Sequence, residues 1–118
     1  MKTGSFKNCG KMENSISIAL WAPRWYKGGS YPQLAPLRHM LKMEDEEECR
    51  RLYYSKILAK LDPQKVYEDL RGKILLCWED LSKGEWCHRR MVAEWIESEL
   101  GLKVPEFTKE GQKTMSLF

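Results

Sequence analysis

Residues 74–90 read Ile-Leu-Leu-Cys-Trp-Glu-Asp-Leu-Ser-Lys-Gly-Glu-Trp-Cys-His-Arg-Arg. The apolar run Ile74 to Cys77 is short, uninterrupted and bounded by polar residues, the pattern of a strand buried on both faces. A polar loop containing Gly84 follows, and Cys87-His88-Arg89-Arg90 opens a segment with helical periodicity. Met91, Val92, Trp95, Ile96 and Leu100 recur at steps of three and four, which buries one face of that helix, and Gly101 stops it. Strand, loop and helix in this order predict an α/β unit. A helix start directed at a loop offers unpaired N–H groups and partial positive charge to an anion.

Outward from this unit, the preceding elements alternate in kind. A short first strand is expected around Thr3–Phe6, and a second over Ser15–Ala19, where alternation gives way to apolar residues. Residues 21–29, Trp-Ala-Pro-Arg-Trp-Tyr-Lys-Gly-Gly, are too rich in Pro and Gly to be regular. Pro36 suits the first position of a helix running to about Met43. The acidic run Glu44–Glu48 suits the start of the next, whose stripe is Leu52, Ile57, Leu58 and Leu61. Asp62-Pro63 signals the N-cap and first position of a helix over Val66, Tyr67 and Leu70, closed by Gly72. Leu102–Val104 reads as a final edge strand, and Thr108–Phe118 as a tail.

The expected fold is therefore a small Rossmann-like α/β domain over residues 1–107, with a mainly parallel sheet and about four helices, and a C-terminal tail over 108–118. The length of 118 residues suits one domain with one core. Hydrophobic residues at 42% and charged residues at 31% exclude a disordered chain. A net charge of +3, from 20 Lys and Arg against 17 Asp and Glu, gives only weak support to a nucleic-acid partner. No apolar stretch resembles a signal peptide or a membrane span, so a cytoplasmic location without membrane contact is expected. The four scattered cysteines, Cys9, Cys49, Cys77 and Cys87, are then expected as reduced thiols.

Ligands of open α/β sheets sit beyond the carboxyl ends of the strands, so the 21–29 loop and the Cys-His-Arg helix start are expected to face one pocket. The candidate ligand-binding residues are Trp21, Pro23, Arg24, Trp25 and Lys27 from the loop. Cys77, Glu79, Trp86, Cys87, His88 and Arg89 join them from the second unit. Arginines that grip phosphate beside indoles that stack on a base suit a nucleotide or another phosphate-bearing small molecule. Cys87 and His88 are the catalytic candidates if the site is enzymatic, because a helix start with adjacent cations lowers a thiol pKa. Each has a structural alternative: Cys77 as a small core hydrophobe, His88 as a partner of loop backbone, Trp86 as core. No cofactor is implied. Adjacent Cys-His without a Cys-x-x-Cys pair argues against a metal site.

Several blocks also resemble a known family. Ser15-Ile-Ser-Ile-Ala, Ala22-Pro-Arg-Trp-Tyr-Lys-Gly, Tyr31-Pro-Gln-Leu-Ala-Pro, Leu61-Asp-Pro-Gln-Lys-Val, Leu75-Leu-Cys-Trp-Glu and Trp86-Cys-His-Arg-Arg-Met-Val-Ala-Glu-Trp are similar, in order, to blocks of the phage and bacterial branch of the domain-of-unknown-function 488 family. The resemblance covers about Ser15 to Val104. It implies a small Rossmann-like protein with signature positions at Pro23, Arg24, Trp25, Cys77, Glu79, Cys87, His88 and Arg89, and it implies no activity. Leu20 is apolar where many members of that family have a basic residue nearby. Three functions follow as expectations: a nucleotide binder, which in a phage would sequester a host nucleotide signal; an enzyme on a nucleotide or nucleic acid using Cys87 or His88; and a protein–protein module exploiting the tryptophans, with a homo-oligomer left open.

Overall fold

Leu75 and its neighbours Ile74 and Leu76 face opposite ways, and this alternation divides the core. A computed structural model describes residues 1–78 and 88–107. Strands β1 (Lys2–Ser5), β2 (Ser15–Ser17), β3 (Gly29–Ser30) and β4 (Ile74–Cys77) form one sheet in the order β1-β4-β2-β3. Every pairing is parallel. The α-helices are α1 (Phe6–Cys9), α2 (Glu46–Lys56), α3 (Pro63–Leu70) and α4 (His88–Leu100). This is the expected small Rossmann-like α/β architecture.

One face of the sheet carries the main core, which groups Leu75 with Tyr53, Val66, Leu70, Val92, Trp95 and Ile96 of α2, α3 and α4. The other face has a thinner cover, where Ile74 and Leu76 pack with Phe6 and Cys9 of α1 and with Met12, Ala19, Tyr26 and Phe107. Close approach of α1 depends on Gly4, because a Cβ there would lie 2.7 Å from the Cys9 sulfur. Burial pushes the Cys9 thiol up to about 11, with Glu106 adding to the shift.

Sequence signals located the capped elements well. Asp62 accepts from the Gln64 N–H with Pro63 at the first position of α3, β4 spans Ile74–Cys77, and Gly101 ends α4 at φ +69°. Differences arise where short-range geometry prevails. Residues Arg38–Lys42 form a 3-10 helix rather than a helix begun by Pro36, with Leu37 at its N-cap. The helix over Leu52 breaks at Ile57, and Leu58–Lys60 continues as 3-10. Gly29–Ser30 is a strand inside a segment expected to be irregular.

No strand forms at Leu102–Val104. The chain instead joins the outer side of β1 through a single parallel bridge between Thr3 and Glu106. Cys77 is disulfide-bonded, which corrects the expectation of a reduced thiol there, whereas Cys9 and Cys49 are buried thiols outside any disulfide. The expected tail, 108–118, lies outside the described residues. No described helix is long and apolar enough to cross a membrane.

Candidate functional site

All four strands are parallel, so their carboxyl ends, Ser5, Cys77, Ser17 and Ser30, share one edge. Two different corners arise along it. At the first, α4 begins and contributes His88 and Arg89. His88 is buried, and its Nε2 lies 2.9 Å from the Ile18 carbonyl. Desolvation lowers its pKa to about 4, with Arg89 adding to the fall and the Ile18 contact opposing it. The ring is therefore neutral at pH 7, and Nε2 carries the proton it donates to Ile18. Tyr53 packs edge-on against this ring at 5.4 Å and donates to the Leu34 carbonyl at 2.6 Å. Between them, His88 and Tyr53 fix both ends of the segment that leaves β2.

Arg89 is 1% exposed. Its Nε and one terminal nitrogen grip the Glu106 carboxylate at 3.0 and 2.8 Å, and the other terminal nitrogen donates to the Cys77 sulfur at 3.1 Å. Thr3 donates to the same carboxylate at 2.6 Å and accepts from Arg90 at 2.8 Å, while Arg90 also caps the Val104 carbonyl. A charge this deep must be paired, and the fork of an arginine meets a carboxylate bidentately. The sequence suggests a phosphate partner for Arg89; the guanidinium instead ties α4 to β4 through Cys77 and to the segment after α4 through Glu106.

The second corner follows from strand register. Ser5 pairs with Cys77, so Phe6 and Trp78 leave the sheet side by side. Their rings meet edge-on at 5.4 Å, and Phe6 meets Tyr26 in the same way at 5.2 Å. Ser5 caps the single turn of α1 by accepting from the Asn8 N–H. The chain then carries Lys7 and Lys11, both exposed, past the indole of Trp25. Trp25 itself lies over Gly10, where a Cβ would come within 2.4 Å of its ring. Phe6, Lys7, Asn8, Lys11, Trp25 and Trp78 together line a cleft of about 520 Å³.

The 21–29 loop is held to this face by Tyr26, whose hydroxyl donates to Gly29 at 2.9 Å and lies 3.4 Å from Ser15. Pro23 is buried beneath the loop, while Arg24 and Lys27 are exposed on it. Trp21 is exposed, with the Arg38 guanidinium 5.8 Å from its ring, and its carbonyl accepts from the Trp78 indole N–H at 2.6 Å.

Between the loop and the start of α4, where the binding pocket was expected, the described residues leave a slot of about 40 Å³ lined by Ala19, Leu20, Trp21, Pro36, Cys77, Trp78 and His88. That is room for about one water, since ligand pockets run to ~300 Å³ and more. Glu79, Trp86 and Cys87 lie outside the described residues. Among the described residues, no three His, Cys, Asp or Glu side chains gather as metal ligands.

Sequence reasoning thus reached Trp25 but passed over Lys7, Lys11, Trp78 and Glu106. A signal existed for three of these. Lys7 and Lys11 stand four residues apart directly after the first strand, and Trp78 directly follows β4. Comparison with protein-family models, with curated proteins and with solved structures finds no match to this chain.

Proposed function

We propose that this chain binds an anionic ligand of the nucleotide class in the cleft beside α1. The supporting observation is the lining of that cleft: two half-exposed indoles and two exposed lysines at the carboxyl edge of a parallel sheet. Its volume of about 520 Å³ falls within the ~300–1,000 Å³ of ligand pockets. Indoles stack on a base regardless of its identity, and lysine ammoniums attract phosphate as point charges. This is the ligand class expected from the sequence, seated on the α1 side of Trp78 rather than between the 21–29 loop and the α4 start.

Binding is favoured over turnover. A neutral His88 committed to the Ile18 carbonyl is a positioning residue for the loop, because a general base must reach the proton it takes. The likeness to the domain-of-unknown-function 488 family accompanies this proposal and adds no activity to it.

Thermal unfolding in the presence of mono-, di- and cyclic nucleotides tests the reading. A nucleotide at 100 times its Kd adds about 2.7 kcal/mol of stability. The corresponding nucleoside and inorganic phosphate, tested separately, each produce a smaller shift. A complete lack of response to phosphate compounds contradicts the proposal.

A further inference from the structure

Trp78 is a shared wall. On one side it closes the cleft with Lys7, Lys11 and Trp25; on the other it lines the slot that contains Trp21. The hydrogen bond from its indole nitrogen to the Trp21 carbonyl fixes the two residues as neighbours, and Arg38 stands over the Trp21 ring. Trp25, Trp78 and Trp21 are 47%, 56% and 57% exposed. A core would bury them, and one nucleotide has one base to stack. The molecule therefore shows more aromatic surface than a mononucleotide can use.

Charge is distributed to match. The first 42 residues carry seven Lys and Arg against the single acid Glu13, whereas the remaining 76 carry thirteen against sixteen Asp and Glu. The modest net charge of the chain thus conceals a basic segment, and that segment supplies every cleft residue except Trp78. Lys7, Lys11, Arg24, Lys27 and Arg38 are all exposed. Indoles spaced along a basic surface match the way single-stranded nucleic acid is held, by stacking on successive bases and attraction of the backbone.

Resting on the nucleotide reading above, we propose that the natural ligand is a single-stranded nucleic acid whose successive bases occupy the Trp25–Trp78 cleft and the Trp21–Arg38 platform beside it. An anionic lipid surface would also attract tryptophan and lysine. The Trp25 and Trp78 indoles, however, wall a cleft of about 520 Å³, and a concave aromatic surface receives a base rather than entering a bilayer. Duplex is excluded from the mode because its bases are already stacked on one another.

The test is a fluorescence-anisotropy titration of the full chain with 5′-labelled oligo-dT and oligo-U of one, two, four and eight nucleotides. Affinity rises at least about tenfold from the mononucleotide to the tetramer, as one further stacked base warrants. It falls with salt, and a duplex of the same length binds at least about tenfold more weakly. Trp21→Ala and Arg38→Ala each reduce affinity for the octamer by a larger factor than for the mononucleotide, while Trp78→Ala weakens both. Thermal melts confirm that each variant is folded, and the two exposed-site variants stand as the test if Trp78→Ala does not fold. Equal affinity at all lengths, with mononucleotide binding retained, overturns this inference and leaves the nucleotide reading standing. Absence of binding at every length overturns both. Equal binding of duplex, or binding to phosphatidylglycerol vesicles without length-dependent binding of oligonucleotides, also overturns the inference.

Discussion

The two corners at the carboxyl edge of the sheet use similar side chains to opposite ends. At the start of α4, His88 and Arg89 are buried, and their partners include the Ile18 carbonyl, Glu106 and Cys77. Beside α1, Lys7 and Lys11 stand exposed next to two half-exposed indoles. The difference is one of depth. A guanidinium in the core requires a carboxylate against it, so its charge becomes an internal tether. An ammonium at the surface keeps its charge for whatever approaches. The residue types most suggestive of an anion site thus mark a structural joint in one place and a candidate ligand cleft in the other.

The largest effect that would break this contrast lies in the tether. Arg89→Ala leaves Glu106 facing a buried gap and is expected to cost about 3–5 kcal/mol, measured by urea unfolding. Arg89→Met, which refills the space, with Glu106→Gln should recover part of that loss. An Arg89→Ala protein of wild-type stability would mean that the guanidinium is not a tether at all.

His88 supplies the next effect, through pH. Its folded-state pKa of about 4 lies below the ordinary value of 6.5. The unfolded chain therefore takes up a proton on this imidazole in a range where the folded chain does not. Stability is full above about pH 6.5 and is lost as pH falls toward 4, by on the order of 3 kcal/mol. Unfolding curves at pH 7.0, 6.0 and 5.0 measure it, and His88→Gln should flatten the dependence over that interval.

On the opposite face, Gly4→Ala pushes a methyl group toward the Cys9 sulfur and is expected to destabilise by roughly 1–3 kcal/mol. Cys9→Ala in the same chain should relieve much of this, because it removes the contacting atom. Independent, additive effects of the two substitutions would show that α1 is not held as closely as described. The smallest effect on stability belongs to Lys7→Ala and Lys11→Ala. Each should change it by less than about 0.5 kcal/mol, as exposed positions do. Their effect should appear instead as weaker nucleotide binding.

The legibility of these regions in the sequence follows the same line of depth. Elements with chemical punctuation were readable: Asp62-Pro63 as a cap, the apolar run Ile74–Cys77, and the periodic face of α4 ending at Gly101. So was the parallel α/β class, because strands and helical stripes alternate along the chain. The single turn of α1 was not, since four residues carry no period and its only signal is Ser5 as a cap. The partner of Arg89 was equally hidden. Glu106 follows a proline beyond α4, and the parallel bridge to Thr3 helps to bring it under that helix. His88 read equally well as catalyst or as backbone partner until the Ile18 carbonyl was found 2.9 Å from it. Exposed Trp78 was overshadowed by its neighbours Cys77 and Glu79, although the Ser5–Cys77 register is what sets it beside Phe6.

The most direct test of the contrast between the two corners is a two-dimensional amide and indole NMR titration of the ¹⁵N-labelled chain with a mononucleotide. Shifts are expected to concentrate on Phe6–Lys11 and on the Trp25 and Trp78 indoles, with His88–Arg90 little changed. Shifts centred on His88–Arg90, with Lys7, Lys11 and Trp25 unmoved, would contradict that contrast.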